Sequence, residues 1–500
     1  MSSITLKSKS ASRTFDFNEG ENLLSVLQRN AVTVSAPCGG NGKCGKCKVN
    51  IVRPGGEETV LACKTPAEDN MTVLVGEPEG AAVCDSFEFE NSDYGADGAG
   101  FGIAVDLGTT TVAAALTELS SGKILRKTSA MNTQSVYGAD VISRTQYTIE
   151  NENGLDILCG TVNAQINRMA DELCESCGVD RAKTKLFIAG NTIMQHICAS
   201  LPPKSIAAAP FTPVTLFAGS DKYSPCVSGY VGGDITAGML AVGLHNAKEL
   251  SLFVDLGTNG EMAIGNAEGI VCCSVASGPA FEGADITCGM AGTTGAINHI
   301  SFSDGEFVFT TIGDAEPRGI CGSGIIELTA CLLRLGIIDA SGYLQPPDEV
   351  DGDFGELLGE DDDGNGIVYI TKDKSVFFTA RDVRRIQLAK AAVAAGIEIL
   401  MQEAGASPED VSTIYLAGGF GTYIDVKSAV EIGMLPGGTL EKVKSVGNSS
   451  LAGAVLALCS SRAAGELSGI PALCRYVELS GDKRFNDLFA DNMAFYEEDF

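Results

Sequence analysis

Four cysteines near the N-terminus have a spacing that can hold a redox metal centre. They follow the pattern C-x5-C-x2-C-x15-C and are Cys38, Cys44, Cys47 and Cys63. A cluster of iron and sulfide held by four thiolates needs a loop that wraps closely around it. The glycine-rich residues 39–46 allow such a wrap and can direct backbone N–H groups at the sulfurs. The pattern therefore predicts an iron–sulfur cluster. The alternatives are unrelated thiols or a structural zinc site, which usually has two paired C-x2-C knuckles.

A second set of residues could bind phosphate groups. The pentapeptide VDLGT occurs at residues 105–109 and again at 254–258, each time between two strand-like runs. A glycine in such a turn lets the backbone approach a phosphate closely, and turn N–H groups and threonine hydroxyls can donate to it. A carboxylate at the end of the first strand can hold Mg²⁺ directly or through water. Two such hairpins facing each other predict a site that grips a nucleotide tail from both sides.

Further residues extend this second set. Gly418-Gly419-Phe420-Gly421 follows a strand-like run, and its glycines would let the turn pack flat against a base or ribose. Glu261 and Glu282 are both candidates to orient a hydrolytic water, and a salt-bridged structural role is the alternative for each. Asp234 is a third, weaker candidate.

Composition excludes several classes of function. The 500 residues predict two to four domains. They include 35 Lys and Arg against 64 Asp and Glu, a net charge of −29 that argues against binding nucleic acid or anionic lipid. No apolar run reaches the roughly 18 residues of a membrane span. The polar N-terminus and the 17 cysteines predict a cytoplasmic protein with reduced thiols.

The elements that position these residues divide the chain into three parts. Residues 1–82 read as a small β-rich module, and the acidic, glycine-rich residues 83–100 read as a linker. Residues 101–500 alternate between strands and helices. Because the VDLGT hairpin is repeated, they predict two related lobes, 101–250 and 251–447. A returning helix and tail, 448–500, follow.

The N-terminal module resembles the β-grasp 2Fe–2S ferredoxins. The resemblance rests on CGGNGKCGKC and LACKT, which contain all four cysteines of the pattern. It covers roughly residues 3–78 and implies that Cys38, Cys44, Cys47 and Cys63 are the cluster ligands.

Residues 101–465 resemble the actin-like ATPase superfamily of sugar kinases, Hsp70 and actin, abbreviated ASKHA, with a ribonuclease H-like fold. The two hairpins and the GGFG turn match its phosphate-1, phosphate-2 and adenosine motifs. The helix after Asn448 is similar to its second connecting helix, and residues 190–192 to the start of the first. By this resemblance Asp106 and Asp255 would hold Mg²⁺. The implied nucleotide contacts are Gly108, Thr109, Thr110, Thr258, Asn259, Gly260, Gly418, Gly419 and Phe420.

The order of the two modules resembles the reductive activators of corrinoid proteins. The resemblance spans nearly the whole chain and includes VDLGTNGE and LAGGFG. It implies a fold with an N-terminal β-grasp ferredoxin domain and a two-lobed α/β ATPase domain. It also implies an ATP-dependent one-electron reduction of Co(II) to Co(I), with a 2Fe–2S cluster and ATP with Mg²⁺. The partners would be a corrinoid protein and an upstream low-potential electron donor, and a homodimer is compatible with it.

Other functions remain compatible with the same residues. A small-molecule kinase would use the same ATP site, with a regulatory ferredoxin domain. A nucleotide-gated electron carrier could serve another low-potential acceptor. An activator of radical dehydratases is disfavoured, because such proteins hold a 4Fe–4S cluster between two subunits and no cysteine pattern here fits that arrangement.

Overall fold

A computed structural model of the chain describes residues 2–7, 12–30, 32, 34, 42, 47–53, 56–74, 94–347, 349–350, 354–361, 364–418 and 421–495. In these residues no helix combines the length and the apolar character that crossing a bilayer requires.

The N-terminal module is a five-stranded mixed sheet with one helix against it. Its elements are β1 (Ser2–Lys7), β2 (Ser12–Phe17), α1 (Leu23–Arg29), β3 (Lys48–Arg53), β4 (Gly56–Leu61) and β5 (Thr72–Leu74). The strand order is β2-β1-β5-β3-β4, and β1 runs parallel to β5. Alternate residues of β1 and β3 face α1, so that Ile4, Ile51 and Leu27 are fully buried. This is the predicted β-grasp arrangement, and Cys47 lies in its core.

The first lobe is a four-stranded sheet with helices on both sides. Its elements are β6 (Phe101–Leu107), β7 (Thr111–Glu118), β8 (Lys123–Met131), α2 (Val141–Glu150), α3 (Gly154–Cys177), β9 (Thr184–Gly190), α4 (Thr192–Cys198) and α5 (Gly233–Val242). The strand order is β8-β7-β6-β9. Helix α3 packs against one face of this sheet. It ends at Gly178, which adopts the left-handed conformation that stops a helix.

The second lobe is built on a six-stranded sheet of order β20-β19-β10-β11-β12-β21, with two small three-stranded sheets beside it. The strands are β10 (Ser251–Leu256), β11 (Gly260–Asn266), β12 (Gly269–Val275), β13 (Ala296–Ser303), β14 (Glu306–Thr311), β15 (Gly319–Ile320), β16 (Leu358–Glu360), β17 (Gly366–Tyr369), β18 (Phe377–Thr379), β19 (Thr413–Ala417), β20 (Val443–Gly447) and β21 (Cys474–Tyr476). The helices are α6 (Gly322–Arg334), α7 (Ala380–Ala404), α8 (Val426–Glu431), α9 (Ser449–Cys459), α10 (Ser461–Leu473) and α11 (Lys483–Asp491).

The two lobes repeat one arrangement of strands. Strands β6, β7 and β8 are antiparallel neighbours and β9 runs parallel to β6. Strands β10, β11 and β12 are likewise antiparallel, and β19 runs parallel to β10. The two VDLGT copies form the corresponding turns, β6–β7 and β10–β11. The two-lobed fold predicted from the repeat is therefore confirmed.

Helices α5 and α9 pack between the two sheets. One apolar core contains Ala104 of β6, Phe253 of β10 and residues of both helices. The helices cross at very short range, because a Cβ atom at Gly453 would lie 1.9 Å from the carbonyl oxygen of Ala237. Only glycine permits this contact.

The expectation that the first connecting helix begins at residues 190–192 was wrong. Helix α4 does begin there, but Ile193, Met194 and Ile197 pack into the core of the first lobe. The helix that packs against α9 is α5, forty residues further along the chain, because its small residues allow the close crossing.

Candidate nucleotide cleft and iron–sulfur site

Asn132 fixes the turn between β6 and β7. Its side-chain amide donates to the carbonyl oxygen of Gly108 at 2.9 Å, and its backbone N–H donates to that of Thr110 at 2.8 Å. A Cβ atom at Gly108 would lie 2.6 Å from the carbonyl oxygen of Thr111, so the turn requires glycine. Because these bonds hold the turn in one shape, a ligand would meet a preorganised surface.

Two further side chains hold Thr109, next in the same turn. Arg144 of α2 is fully buried and its Nη2 donates to the carbonyl oxygen of Thr109 at 2.7 Å. Asn191 donates from Nδ2 to the Thr109 hydroxyl at 3.0 Å. Burial lowers the pKa of Arg144 to about 10, so the guanidinium stays charged at neutral pH. Arg144 belongs to no sequence motif. Only its position behind the hairpin in the structure identifies it.

The two hairpins face each other across the cleft. The hydroxyl oxygens of Thr110 and Thr258 lie 3.4 Å apart. Glu282 accepts hydrogen bonds from both, at 3.3 Å from Thr110 and 2.9 Å from Thr258. The structure therefore brings together three of the predicted residues, one from each hairpin and one candidate for orienting water.

The second turn is held mainly by its own backbone. Gly257 N–H donates to the carbonyl oxygen of Asn259 at 2.9 Å. The Ser277 hydroxyl lies 3.4 Å from the carbonyl oxygens of both Gly257 and Thr258, a long hydrogen bond. Gly260 begins β11 and pairs with Val275.

Five partly buried carboxylates line the cleft. They are Asp106, Asp234, Asp255, Glu261 and Glu282. Burial raises the pKa of Asp255 to about 8, and the charges of Asp234 and Asp106 add to the effect. Burial and Asp106 raise the pKa of Asp234 to about 7. Burial also raises the pKa of Glu261 well above its usual range, with contributions from Asp234 and Asp255. The carboxylates therefore repel one another in a site that excludes much of the water.

The two aspartates of the repeated pentapeptide have different neighbours. Asn448 donates to Asp106 Oδ2 at 2.8 Å and Ser450 donates to Asp106 Oδ1 at 2.7 Å. Burial raises the pKa of Asp106, and these two hydrogen bonds oppose the increase. In the part of the chain that the structure describes, no side chain donates to the Asp255 carboxylate. The sequence identified Asn448 only as the residue before the second connecting helix, and it did not single out Ser450.

This donor set fits a hydrated magnesium ion. Carboxylate oxygens are the ligands that Mg²⁺ prefers, and a divalent cation relieves their mutual repulsion. No three His, Cys, Asp or Glu side chains among the described residues are arranged to ligate one metal directly. Mg²⁺ usually keeps several waters and takes one or two carboxylates plus substrate phosphates, so that such a direct cage is not needed.

The predicted adenosine turn begins against the second hairpin. Gly418 has a φ of +96°, and a Cβ atom there would lie 2.4 Å from the carbonyl oxygen of Leu256 and 2.9 Å from Asp255 Oδ1. Glycine is therefore required for the strand to end at this distance from the cleft. Gly419 and Phe420, the other predicted residues of this turn, lie outside the described residues.

Two of the four predicted cluster ligands are described, and they lie side by side. The Sγ atoms of Cys47 and Cys63 are 3.2 Å apart. Ala62 N–H donates to the carbonyl oxygen of Cys47 at 2.8 Å, which ties the two cysteine segments together. Tetrahedral thiolate–metal bonds of about 2.3 Å separate two sulfurs by about 3.8 Å, so a small outward movement would let both bind one iron. Cys38 and Cys44 lie outside the described residues.

Three family models match consecutive parts of the chain. Residues 249–500 match the family model described as the C-terminal domain of RACo, the ASKHA domain. Residues 101–247 match the model of the RACo middle region, and residues 6–68 match a 2Fe-2S iron-sulfur cluster binding domain. The chain is 35% identical over 422 residues to the corrinoid activation enzyme RamQ of Eubacterium limosum, a match covering 79% of this chain and 71% of the relative. The chain belongs to the family of reductive activators of corrinoid proteins.

Two more proteins support membership of this activator family. The [Co(II) methylated amine-specific corrinoid protein] reductase of Methanosarcina barkeri is 26% identical over 402 residues, covering 70% of this chain and 68% of the relative. The solved structure of a reductive activator for a corrinoid, iron–sulfur protein is 30% identical, has a TM-score of 0.70 and covers 98% of both chains. The predicted family and fold are therefore confirmed.

Proposed function

We propose that this activator reduces the Co(II) centre of a corrinoid protein to Co(I), one electron at a time and with the use of ATP. The proposal is supported by relatives that are named for this activation and by a structural likeness along nearly the whole chain. The observation that carries it is the presence, in one chain, of a paired-cysteine site in a ferredoxin-type domain and a carboxylate-lined cleft between two lobes. A small-molecule kinase is not favoured, because it would not need the first site.

ATP is needed in this proposal for a thermodynamic reason. When one electron moves to an acceptor of lower potential, the equilibrium constant for the transfer falls tenfold for each ~59 mV of difference. A nucleotide can offset such a step only if it binds one conformation more tightly than another. The cleft is suited to this, because its two hairpins belong to different lobes and touch through Thr110 and Thr258. A phosphate group between them would separate these hydroxyls and change the angle between the lobes.

The nucleotide would be held by the residues that face the cleft. The turn at Gly108, Thr109 and Thr110 and the turn at Thr258, Asn259 and Gly260 would donate to phosphates. Asp255 would hold a hydrated Mg²⁺, and Asp106 would do so only through its remaining lone pairs. Gly418, with Gly419 and Phe420, would contact adenosine.

The hydrolytic water has two candidate acceptors. Glu282 already accepts hydrogen bonds from hydroxyls of both hairpins, so it lies where a terminal phosphate would arrive. Glu261 pairs with Asp255 across the hairpin and lies deeper among the acids. We therefore assign the orientation of water to Glu282, and the support of the metal's water shell to Glu261.

The electron site would use Cys38, Cys44, Cys47 and Cys63. A 2Fe–2S cluster bound there supplies a reversible one-electron donor. The electron balance requires an upstream donor of low potential to reduce the site between turnovers. We further infer a cytoplasmic location, where the thiols stay reduced, and retain the homodimer as a prediction.

The direct test mixes the purified protein with a low-potential reductant and a Co(II) corrinoid protein. The absorbance of Co(I) is followed with MgATP, with MgADP and without nucleotide. We expect rapid Co(I) formation only with MgATP. Equal rates in all three mixtures would contradict ATP coupling. Transfer of phosphate to a sugar or acid by protein that lacks the cluster would instead support the kinase.

A further inference from the structure

The chain segment that leads from the N-terminal module is bound to the end of helix α9. The backbone N–H groups of Asp97 and Gly98 donate to the carbonyl oxygen of Cys459, at 3.0 and 3.3 Å. The Asp97 carboxylate accepts from the backbone N–H of Ser461 at 2.9 Å and also from the Ser461 hydroxyl. The sequence predicted a linker over residues 83–100, but its last residues are fixed to the junction of α9 and α10.

Tyr94 adds a polar cluster to this attachment. Its hydroxyl donates to Glu466 of α10, and Glu466 Oε2 lies 2.9 Å from both His245 Nε2 and Asn246 Nδ2. The Arg462 guanidinium lies over the Tyr94 ring, 5.3 Å from its centroid. Burial alone would raise the pKa of Glu466, but the hydrogen bonds from Tyr94, His245 and others lower it to about 2. The carboxylate is therefore charged at any physiological pH.

Helices α5 and α9 both begin at the nucleotide cleft. Helix α9 begins at Asn448 and Ser450, which donate to Asp106. The first turn of helix α5 contains Asp234, whose charge interacts with that of Asp106, and the helix leads directly to His245 and Asn246. Both helices thus connect the carboxylates at one end with the bound segment at the other.

The helices are too tightly packed to move independently. The backbone contact at Gly453 leaves no space for even one methyl group against Ala237. A Cβ atom at Gly238 would likewise lie 2.6 Å from the Phe253 ring and 2.9 Å from the Ser449 hydroxyl. A close-packed pair of this kind transmits displacement, since its interior cannot be compressed.

We propose that Tyr94 and Asp97 are positioning residues that connect nucleotide occupancy of the cleft to the placement of the N-terminal module, through helices α5 and α9. The inference rests on the proposed function, because it supplies the step by which nucleotide would control electron delivery. The eleven residues of α9 span about 16 Å, so a small rotation at Asp106 is carried well away from the cleft. Among the described residues of the two lobes, residues 94–98 lie nearest along the chain to the N-terminal module.

Thermodynamic reciprocity makes the proposal testable without any cobalt chemistry. If nucleotide changes the stability of the attachment by some factor, loss of the attachment must change nucleotide affinity by the same factor. Coupling of this kind is typically about 5- to 150-fold. A residue that only stabilises the fold would not show this equality.

The experiment uses the full-length protein with its cluster and a non-hydrolysable ATP analogue with Mg²⁺. Hydrogen exchange of the amides of residues 94–98 is measured with and without the analogue. The Kd of the ATP analogue is then measured for the wild type, Asp97→Ala and Tyr94→Phe. We expect the analogue to change exchange by about 5-fold or more, and Asp97→Ala to change the Kd by a similar factor. Tyr94→Phe, which removes one hydroxyl and no other contact, should change it in the same direction by less.

Asp410→Ala is the matched control. Asp410 accepts from the backbone N–H and hydroxyl of Ser407 at 2.9 and 2.8 Å, the same pair of bonds that Asp97 makes with Ser461, but in a loop of the second lobe. It should leave the Kd unchanged. Exchange that does not respond to the analogue, or a Kd for Asp97→Ala within twofold of wild type, overturns the proposal. Because cobalt reduction is not measured, either result leaves the proposed function to its own test.

Discussion

The two VDLGT hairpins have the same five residues and different surroundings. In the first, Asp106 accepts hydrogen bonds from Asn448 and Ser450, at the start of a helix that crosses between the lobes. In the second, Asp255 lies among carboxylates, and its pKa is raised to about 8 by burial and by Asp234 and Asp106. Hydrogen-bond donors stabilise the charge of Asp106, whereas no side chain in the described part of the chain donates to Asp255, whose charge a bound cation would stabilise.

This difference shows that a repeated motif can locate a site without indicating which role each of its residues has there. Both aspartates end a strand at a glycine turn, and the sequence therefore implied the same role in Mg²⁺ binding for both. The neighbours that separate the two roles come from residue 448 onward, more than 300 positions from the first hairpin. We therefore assign Asp255 to the metal and Asp106 mainly to the attachment of α9.

The largest expected effect is on catalysis by the second hairpin. Asp255→Asn should lower the Mg²⁺-dependent rate of ATP hydrolysis by about 10- to 100-fold, because a carboxylate that orients the metal's water shell is lost. The measurement is steady-state ATPase activity across a Mg²⁺ titration. If excess Mg²⁺ restores the full rate, Asp255 acts through affinity alone, and a rate within twofold of wild type would remove it from the metal site.

Replacing each of the two aspartates by asparagine should affect stability differently in the absence of Mg²⁺ and nucleotide. Asp106→Asn places an amide against the donors of Asn448 and Ser450, and we expect a loss of about 1–3 kcal/mol. Asp255→Asn removes a carboxylate that is repelled by its neighbours, so the protein should become no less stable. The check is the thermal unfolding midpoint of each variant. Equal losses for both would contradict the distinction between the hairpins.

The pH dependence of stability should also show the raised pKa of Asp255 in the second hairpin. An acid whose pKa is raised on folding holds a proton that the unfolded chain releases near pH 4, so that the folded state loses stability as the pH rises toward the higher pKa. For Asp234 and Asp255, with pKa values of about 7 and about 8, this loss occurs between about pH 4 and pH 8. Thermal midpoints across this range should fall less steeply for Asp255→Asn than for wild type. Parallel curves would show that Asp255 does not titrate there.

The smallest expected effect is on nucleotide binding, through the side chains that form hydrogen bonds to the backbone of each turn. Arg144→Lys loses the guanidinium bond to Thr109, a fixed contact at 2.7 Å, and should weaken binding of an ATP analogue by about 2- to 10-fold. Ser277→Ala is its counterpart in the second hairpin, where the contacts are 3.4 Å long, and should change binding less than twofold. Calorimetric titration of both variants provides the comparison. A larger effect from Ser277→Ala would reverse the assignment of the firmly held turn.

The sequence predicted best what lies close together along the chain. The four cysteines span 26 positions, and their spacing together with the glycine-rich loop between them predicted the cluster site. The hairpins were visible because five letters repeat. Arg144, Asn132 and Ser450 were missed, because each reaches the cleft from a different element and carries no motif of its own. The first connecting helix was misplaced for a similar reason: close crossing depends on small residues in α5 and α9 together, which no single segment displays.

The central claim is that nucleotide controls delivery of one electron to cobalt. The most direct measurement is a single turnover in which the protein is reduced by one electron, freed of reductant and mixed with a Co(II) corrinoid protein. The recovery of the cluster absorbance on oxidation and the appearance of Co(I) are followed in the same trace. With MgATP, one Co(I) should form for each cluster oxidised, and without nucleotide both signals should stay nearly constant. Co(I) formation at the same rate and yield without nucleotide would contradict the account.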